Sequence, residues 1–232
     1  MATEEGMPSS MVASRKTYAK RFLLPIGIGI VLSAAILGGL NYQWLKAQLS
    51  YRFSHHSTTV AVLGASTSIA PGIAAPSAPA RTPDPSAPTE IIIPAINVKA
   101  PVVMDETSHV DWKEQLALRR GVLHYSDTAV PNTQNGNVVI FGHSSGVAWA
   151  PGNYKWIFTL LNKLHPGDQI EINYQGIPYI YEVTDSVVVK PTDFSILTQT
   201  PNPILTLVTC TPVGTSTNRL VVHAKLLTNI ER

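Results

Sequence analysis

Between residues 90 and 230 the chain breaks into eight short apolar or alternating runs, and this spacing constrains the fold more than any other feature. The runs are IIIPAINV (91–98), APVVM (100–104), GVLHY (121–125), NVVIFGH (137–143), QIEINY (169–174), PYIYEVTDSVVVK (178–190), ILTLVTC (204–210) and RLVVHAKLL (219–227). They are rich in β-branched residues, and Gly, Pro, Asn and Asp punctuate them, as strands joined by turns require. Two stretches read as short helices, Lys113–Arg119 and Trp156–Leu164. In the second, Ile157, Leu160, Leu161 and Leu164 recur at i, i+3, i+4 and i+7 and form one apolar face. The expected fold class is mainly β: a closed eight-stranded barrel with two or so short helices. No internal repeat is visible.

The segments before residue 90 have different compositions. Residues 1–21 are polar and hold Arg15, Lys16, Lys20 and Arg21. From Phe22 to Leu40 the chain is uncharged. At helical rise this run is roughly 28 Å long, against ~30 Å of bilayer hydrocarbon. Pro25 falls in the first turn, where it costs a helix little, and Tyr42 and Trp44 follow at interfacial depth. The run exceeds the usual core of a cleaved signal peptide. The expectation is one retained transmembrane helix over 22–45 preceding the barrel. The basic residues before it predict a cytoplasmic N-terminal tail (1–21) and a single-pass membrane protein with its domain outside. Residues 46–89 are rich in Pro, Ala and Ser and cannot bury a core, so they read as an extracytoplasmic stalk. Residues 90–230 form the folded domain.

Charge excludes one class of partner. The net charge is +2 and charged residues make up 14% of the chain. No basic stripe suited to nucleic acid is present.

The chain has one cysteine, Cys210, so no internal disulfide is available. Cys210 ends an apolar run, Pro212 and Gly214 break the strand, and Arg219 opens the next. In a hairpin-like return the two residues become neighbours. Leu220, Val222, Ala224 and Leu226 form one apolar face of the last strand, which leaves Arg219 on the other. A guanidinium beside a thiol favours the thiolate and can donate to an oxyanion. A nucleophilic thiol also needs a proton partner. Of seven histidines, His143 stands at the end of NVVIFGH beside Ser144, Ser145 and Gly146. A strand end next to a loop suits proton transfer. On spacing alone His124 and His223 stay in contention, each with a plain reading as a strand residue.

Several of these stretches resemble sortases, a family of cysteine transpeptidases. Asn137-Val138-Val139-Ile140-Phe141-Gly142-His143 is similar to that family's histidine motif. Thr206-Leu207-Val208-Thr209-Cys210 matches its Thr-Leu-x-Thr-Cys pattern, and Arg219-Leu220-Val221-Val222 resembles its arginine strand. The resemblance covers about residues 90–227. It implies an eight-stranded barrel, catalytic roles for His143, Cys210 and Arg219, and a substrate-positioning role for Thr209. It implies cleavage of an LPXTG-like sorting signal through a Cys thioester and transfer of the acyl group to an amine. The implied partners are surface proteins carrying a C-terminal sorting signal, an amine acceptor such as a peptidoglycan precursor or a pilin lysine, and the membrane. The family needs no redox cofactor or catalytic metal, and no acidic cluster here suggests calcium.

Lid-bearing pilin-type members often carry Asp-Pro-aromatic before the first strand, whereas this chain has Asp84-Pro85-Ser86. That departure favours a general anchoring enzyme, and the loop Cys210-Thr211-Pro212-Val213-Gly214-Thr215 resembles the class D or E groups. The rivals are an L,D-transpeptidase, whose cysteine follows a His-Gly pair, a papain-like peptidase, whose cysteine precedes its histidine, and a non-catalytic surface scaffold.

Overall fold

The computed structural model describes residues 25–39, 42–55, 82–104, 111–132, 134–146 and 150–229. The chain divides into two units, Met1–Leu45 and Lys46–Arg232. In the first, a helix (α1) covers residues 25–39. A second helix, α2 (Tyr42–His55), runs through the start of the stretch expected to be a stalk.

The expectation of a transmembrane helix is corrected. Among the described residues no helix is long and apolar enough to cross a membrane. The single-pass topology, the cytoplasmic N-terminus, the extracytoplasmic placement and the membrane as a partner all rested on that helix and fall with it. The polar tail 1–21 and most of the Pro/Ala/Ser-rich stretch lie outside the described residues.

The second unit holds a closed barrel of eight strands in the order β1-β2-β3-β4-β7-β8-β6-β5. They are β1 (Glu90–Ile93), β2 (Val98–Val103), β3 (Val122–His124), β4 (Asn137–Phe141), β5 (Gln169–Tyr174), β6 (Ile177–Val189), β7 (Ile204–Thr211) and β8 (Asn218–Asn229). Each of the eight runs contributes one strand. The first run is split because Pro94 opens a short 3₁₀ turn, Pro94–Ile96, and Val98 already belongs to β2. Strand alternation sets the interior: Val98, Ala100 and Val102 of β2 are buried while Lys99 and Pro101 are exposed. Ile91, Ile93, Ile170, Ile172, Leu205, Leu207 and Val222 fill the same core, all fully buried. Each such side chain contributes about 1.5–3 kcal/mol relative to exposure.

Helix α3 (Asp111–Arg120) forms where the sequence predicts one. It crosses from β2 to the parallel β3, and its buried Ala117 packs with Val103 and Leu123. The second expected helix, Trp156–Leu164, is instead a chain of tight turns. Ile157 N donates to Tyr154 O, Thr159 N to Trp156 O, Leu161 N to Phe158 O and Lys163 N to Leu160 O, all of them i to i−3. Only Leu161–Lys163 is a 3₁₀ helix. The apolar residues still face inward, with Leu160, Leu161 and Leu164 buried. Nine residues ending at Pro166-Gly167 hold too few hydrogen bonds to offset α-helix nucleation, and burial suffices to set their direction.

One pairing places the functional end of the barrel. β4 and β7 are parallel neighbours with Phe141 opposite Val208, an offset of 67 (208 − 141). β7 and β8 are antiparallel with Cys210 opposite Arg219. β7 thus lies between β4 and β8, and the ends of β4 and β7 share one mouth of the barrel.

Candidate active site

Cys210 occupies the outer face of β7, two residues beyond the buried Val208, and is partly exposed. The parallel offset carries the rest of the geometry. His143 follows β4 by two residues, and its separation from Cys210 is again 67 (210 − 143), so the two fall at one level of the ladder. The ladder continues past Phe141: Gly142 N donates to Val208 O at 3.0 Å. The Thr209 hydroxyl donates to Gly142 O at 2.7 Å and closes the link from the β7 side. Thr209 is itself buried. Gly142 packs against the buried Phe158, whose ring an added Cβ would strike. Phe158 N donates to His143 O at 2.9 Å, which fixes the backbone on the far side of the imidazole.

Arg219 stands opposite Cys210 on β8, half-buried. Its Nη1 donates to Ser216 O and Asn218 O, each at 3.2 Å, so the strand's own turn orients the guanidinium. His143, Thr209, Cys210 and Arg219 line one cleft of about 320 Å³. Its walls include Glu114, Gln115 and Leu118 of α3, the tilted pair Tyr125 and Phe141, and the exposed Phe194. The structure therefore brings together all four site residues predicted from sequence.

Neither the α3 wall nor Phe194 was legible beforehand, because neither carries a motif. Ser145 was visible only as a small residue beside His143. Its hydroxyl accepts from Gly214 N at 3.0 Å and ties the loop after β4 to the turn between β7 and β8.

The other two histidines hold structural positions. His124 is buried, and its Nε2 lies 2.9 Å from Ala129 O. His223 sits on the face of β8 away from the core and pairs with Asp185 at 2.8 Å.

Burial pulls the pKa values of both His124 and His143 below the ordinary histidine value of about 6.5. For His124 the hydrogen bond to Ala129 opposes this and does not overcome it. A neutral His143 can take a proton from an attacking group. The shifts also fix a sign for stability. As pH falls through about 6.5 the unfolded chain takes up protons that the folded chain refuses, so stability is lost below that value. Denaturant midpoints are expected to hold between pH 8 and 7 and to drop between pH 6.5 and 5. His124→Gln is expected to flatten part of that drop. A flat wild-type profile across this window would contradict the assignment.

Comparison with known proteins identifies the domain. A family model described as a sortase domain matches residues 91–227. The chain belongs to the sortase family. Its domain has the fold of that family's cysteine transpeptidases. It is 31% identical over 140 residues to sortase D of Bacillus subtilis (strain 168), covering 59% of this chain and 62% of the relative. The chain thus spans about three fifths of that relative's length. Among solved structures, sortase C-1 of Actinomyces oris is 32% identical with a TM-score of 0.51, over 60% of this chain and 73% of the other. A lid mutant of Streptococcus agalactiae sortase C1 is 27% identical with a TM-score of 0.52, over 62% and 71%.

These likenesses correct the expected subclass. The curated relatives include this sortase D and sortase SrtE1 of Streptomyces coelicolor, but many of the matching solved structures are sortase C enzymes, and lid mutants are among the matches. The preference for a D- or E-like or general anchoring enzyme over a lid-bearing pilin type does not stand. The serine in Asp84-Pro85-Ser86 was too slender a basis for it. That segment is a local turn in which the Asp84 carboxylate accepts from Ser86 N and Oγ.

Proposed function

We propose that this chain is a cysteine transpeptidase that cleaves an LPXTG-like sorting signal and transfers the acyl group to an amine. The observation that supports it best is the placement of Cys210 on a strand flanked by the His143 end of β4 and by Arg219 of β8, at one cleft. In this reading the Cys210 sulfur attacks the threonyl carbonyl carbon as its thiol proton passes to His143. Arg219 donates to the oxyanion that forms. His143 protonates the departing amine as the C–N bond breaks, which leaves a thioester on Cys210. An incoming amine then forms a new C–N bond, its proton passes to His143, and the C–S bond breaks to return the thiol.

Thr209 lines the same cleft, and its hydroxyl holds β7 to the backbone that carries His143, so its part in positioning substrate is exerted through the site's frame. The substrates are surface proteins bearing a C-terminal sorting signal, and the acceptor is an amine such as that of a peptidoglycan precursor.

The test is mass spectrometry of the protein mixed with a library of sorting peptides. A single acyl adduct on Cys210, discharged by added amine, is the expected result. Acylation by a carbapenem with no adduct from any sorting peptide would favour an L,D-transpeptidase instead.

A further inference from the structure

Three consecutive carbonyls lie along the segment that bears His143, and each has a donor. Gly142 O accepts from the Thr209 hydroxyl, His143 O from Phe158 N, and Ser144 O from the Thr159 hydroxyl. The first donor belongs to β7. The other two come from neighbouring residues of the turn chain 156–164. Thr159 is buried and does not line the Cys210 cleft.

β4 ends at Phe141, and its ladder to β7 closes with Gly142 N on Val208 O. His143 lies one residue beyond that last bond. Sheet pairing therefore does not set the peptide planes that follow it. A single hydrogen bond at His143 O would leave this segment free to pivot. A second bond, from the adjacent residue to the adjacent carbonyl, removes the pivot.

Thr159 stands on a backbone that packing holds still. Phe158, Leu160 and Leu161 beside it are buried, and its own N–H donates to Trp156 O at 3.1 Å. Ser144 is buried as well, so its bond to Thr159 is shielded from water. A carbonyl that lost this donor would lack solvent to replace it, and the segment would shift to regain a partner.

We propose that Thr159 is a positioning residue for the transfer reaction: its hydroxyl, through Ser144 O, holds the His143 imidazole level with Cys210. This rests on the transpeptidase reading above. The imidazole must stay within proton-transfer reach of the sulfur and of the departing amine. A displacement of about 1 Å can cost up to ~10²-fold in rate. A purely packing role for Thr159 predicts different results.

The test compares Thr159→Val, which keeps the branched shape and removes the donor, with Thr159→Ser, which keeps the donor. Ile172→Val, in the core on β5, controls for lost packing. Formation of the Cys210 thioester is followed in the full chain over a range of concentrations of one sorting peptide. Thr159→Val is expected to lower the maximal rate about tenfold, with the half-saturating peptide concentration within about twofold of wild type. Thr159→Ser and Ile172→Val are expected to stay near the wild-type rate. A wild-type rate in Thr159→Val, or an equal loss in Thr159→Ser or Ile172→Val, would overturn the assignment.

A second readout follows the ring signals of His143 and His124 by NMR as pH is varied. Burial holds the pKa of His143 below the ordinary value. An imidazole released toward water charges more readily, so in Thr159→Val its titration is expected to move up toward about 6.5. His124, held at Ala129 O, is expected to keep its titration, and Thr159→Ser to keep both. Movement of both histidines together, or of neither, rejects the role. This readout needs no turnover. It decides the role of Thr159 even where no Cys210 adduct forms, which is the separate failure of the transpeptidase reading. Where Thr159→Val does not fold, Thr159→Ala takes its place with the same expectations.

Discussion

A Cys210→Ala protein is expected to bind sorting peptides and leave them intact, with turnover reduced about 10⁴-fold or more. The substitution removes the one atom able to hold the acyl group and disturbs little else. Cys210 is partly exposed near the end of β7, and its neighbours are secured by backbone bonds that do not involve the thiol. His143 and Arg219 remain in place but have no nucleophile to serve. Peptide affinity, measured by fluorescence polarisation, is expected to stay within a few-fold of wild type while product formation vanishes. Substantial cleavage by the alanine variant would remove the covalent mechanism, since no other cysteine exists in the chain.

The second large effect is expected at Arg219. Arg219→Lys is expected to lose about 10²–10³-fold in kcat/KM, close to the loss in Arg219→Ala. Charge is kept in the lysine variant, so a purely coulombic role predicts a mild effect. The geometry argues otherwise. The bonds from Nη1 to Ser216 O and Asn218 O orient a planar guanidinium whose other nitrogens can serve the cleft. An ammonium on a flexible stem has no such fork. Steady-state kinetics of both variants decide the matter, and a lysine variant near the wild-type rate would sink the directed-donor role.

Much of this site could be read from the sequence because its chemistry sits on local patterns. The alternation in β8 assigned Leu220, Val222 and Ala224 to the interior and left Arg219 outside, and the break at Pro212 and Gly214 brought Arg219 back to Cys210 across one turn. All three aliphatic residues are in the core. The pairing of β4 with β7 was not legible, since no periodicity records which strand lies beside which across so long a separation. His143 could therefore be preferred over His124 and His223 only by its position at a strand end. The buried place of His124 depends on Ala129 folding back to its ring. The α3 wall and Phe194 were missed for a similar reason: a cleft is made by elements that meet in space.

One local reading failed on length: the 156–164 stretch had a helical apolar face but too few residues to propagate a helix. The reading of Phe22–Leu40 as a span is not upheld, since among the described residues no helix is long and apolar enough to cross a membrane.

The shared offset of 67 between β4 and β7 divides the domain into parts with different freedom to change length. Residues added or lost in the loop between β6 and β7 leave the two strands side by side, whereas β5 and β6 are themselves barrel strands paired to β1 and β8. Loss of a single residue from 138–142 would instead turn the imidazole to the opposite side of the sheet, because strand side chains alternate. Grafted loops and altered specificities thus have a natural home in the β6–β7 loop, while the short strands that set proton donor beside nucleophile admit substitution only at constant length.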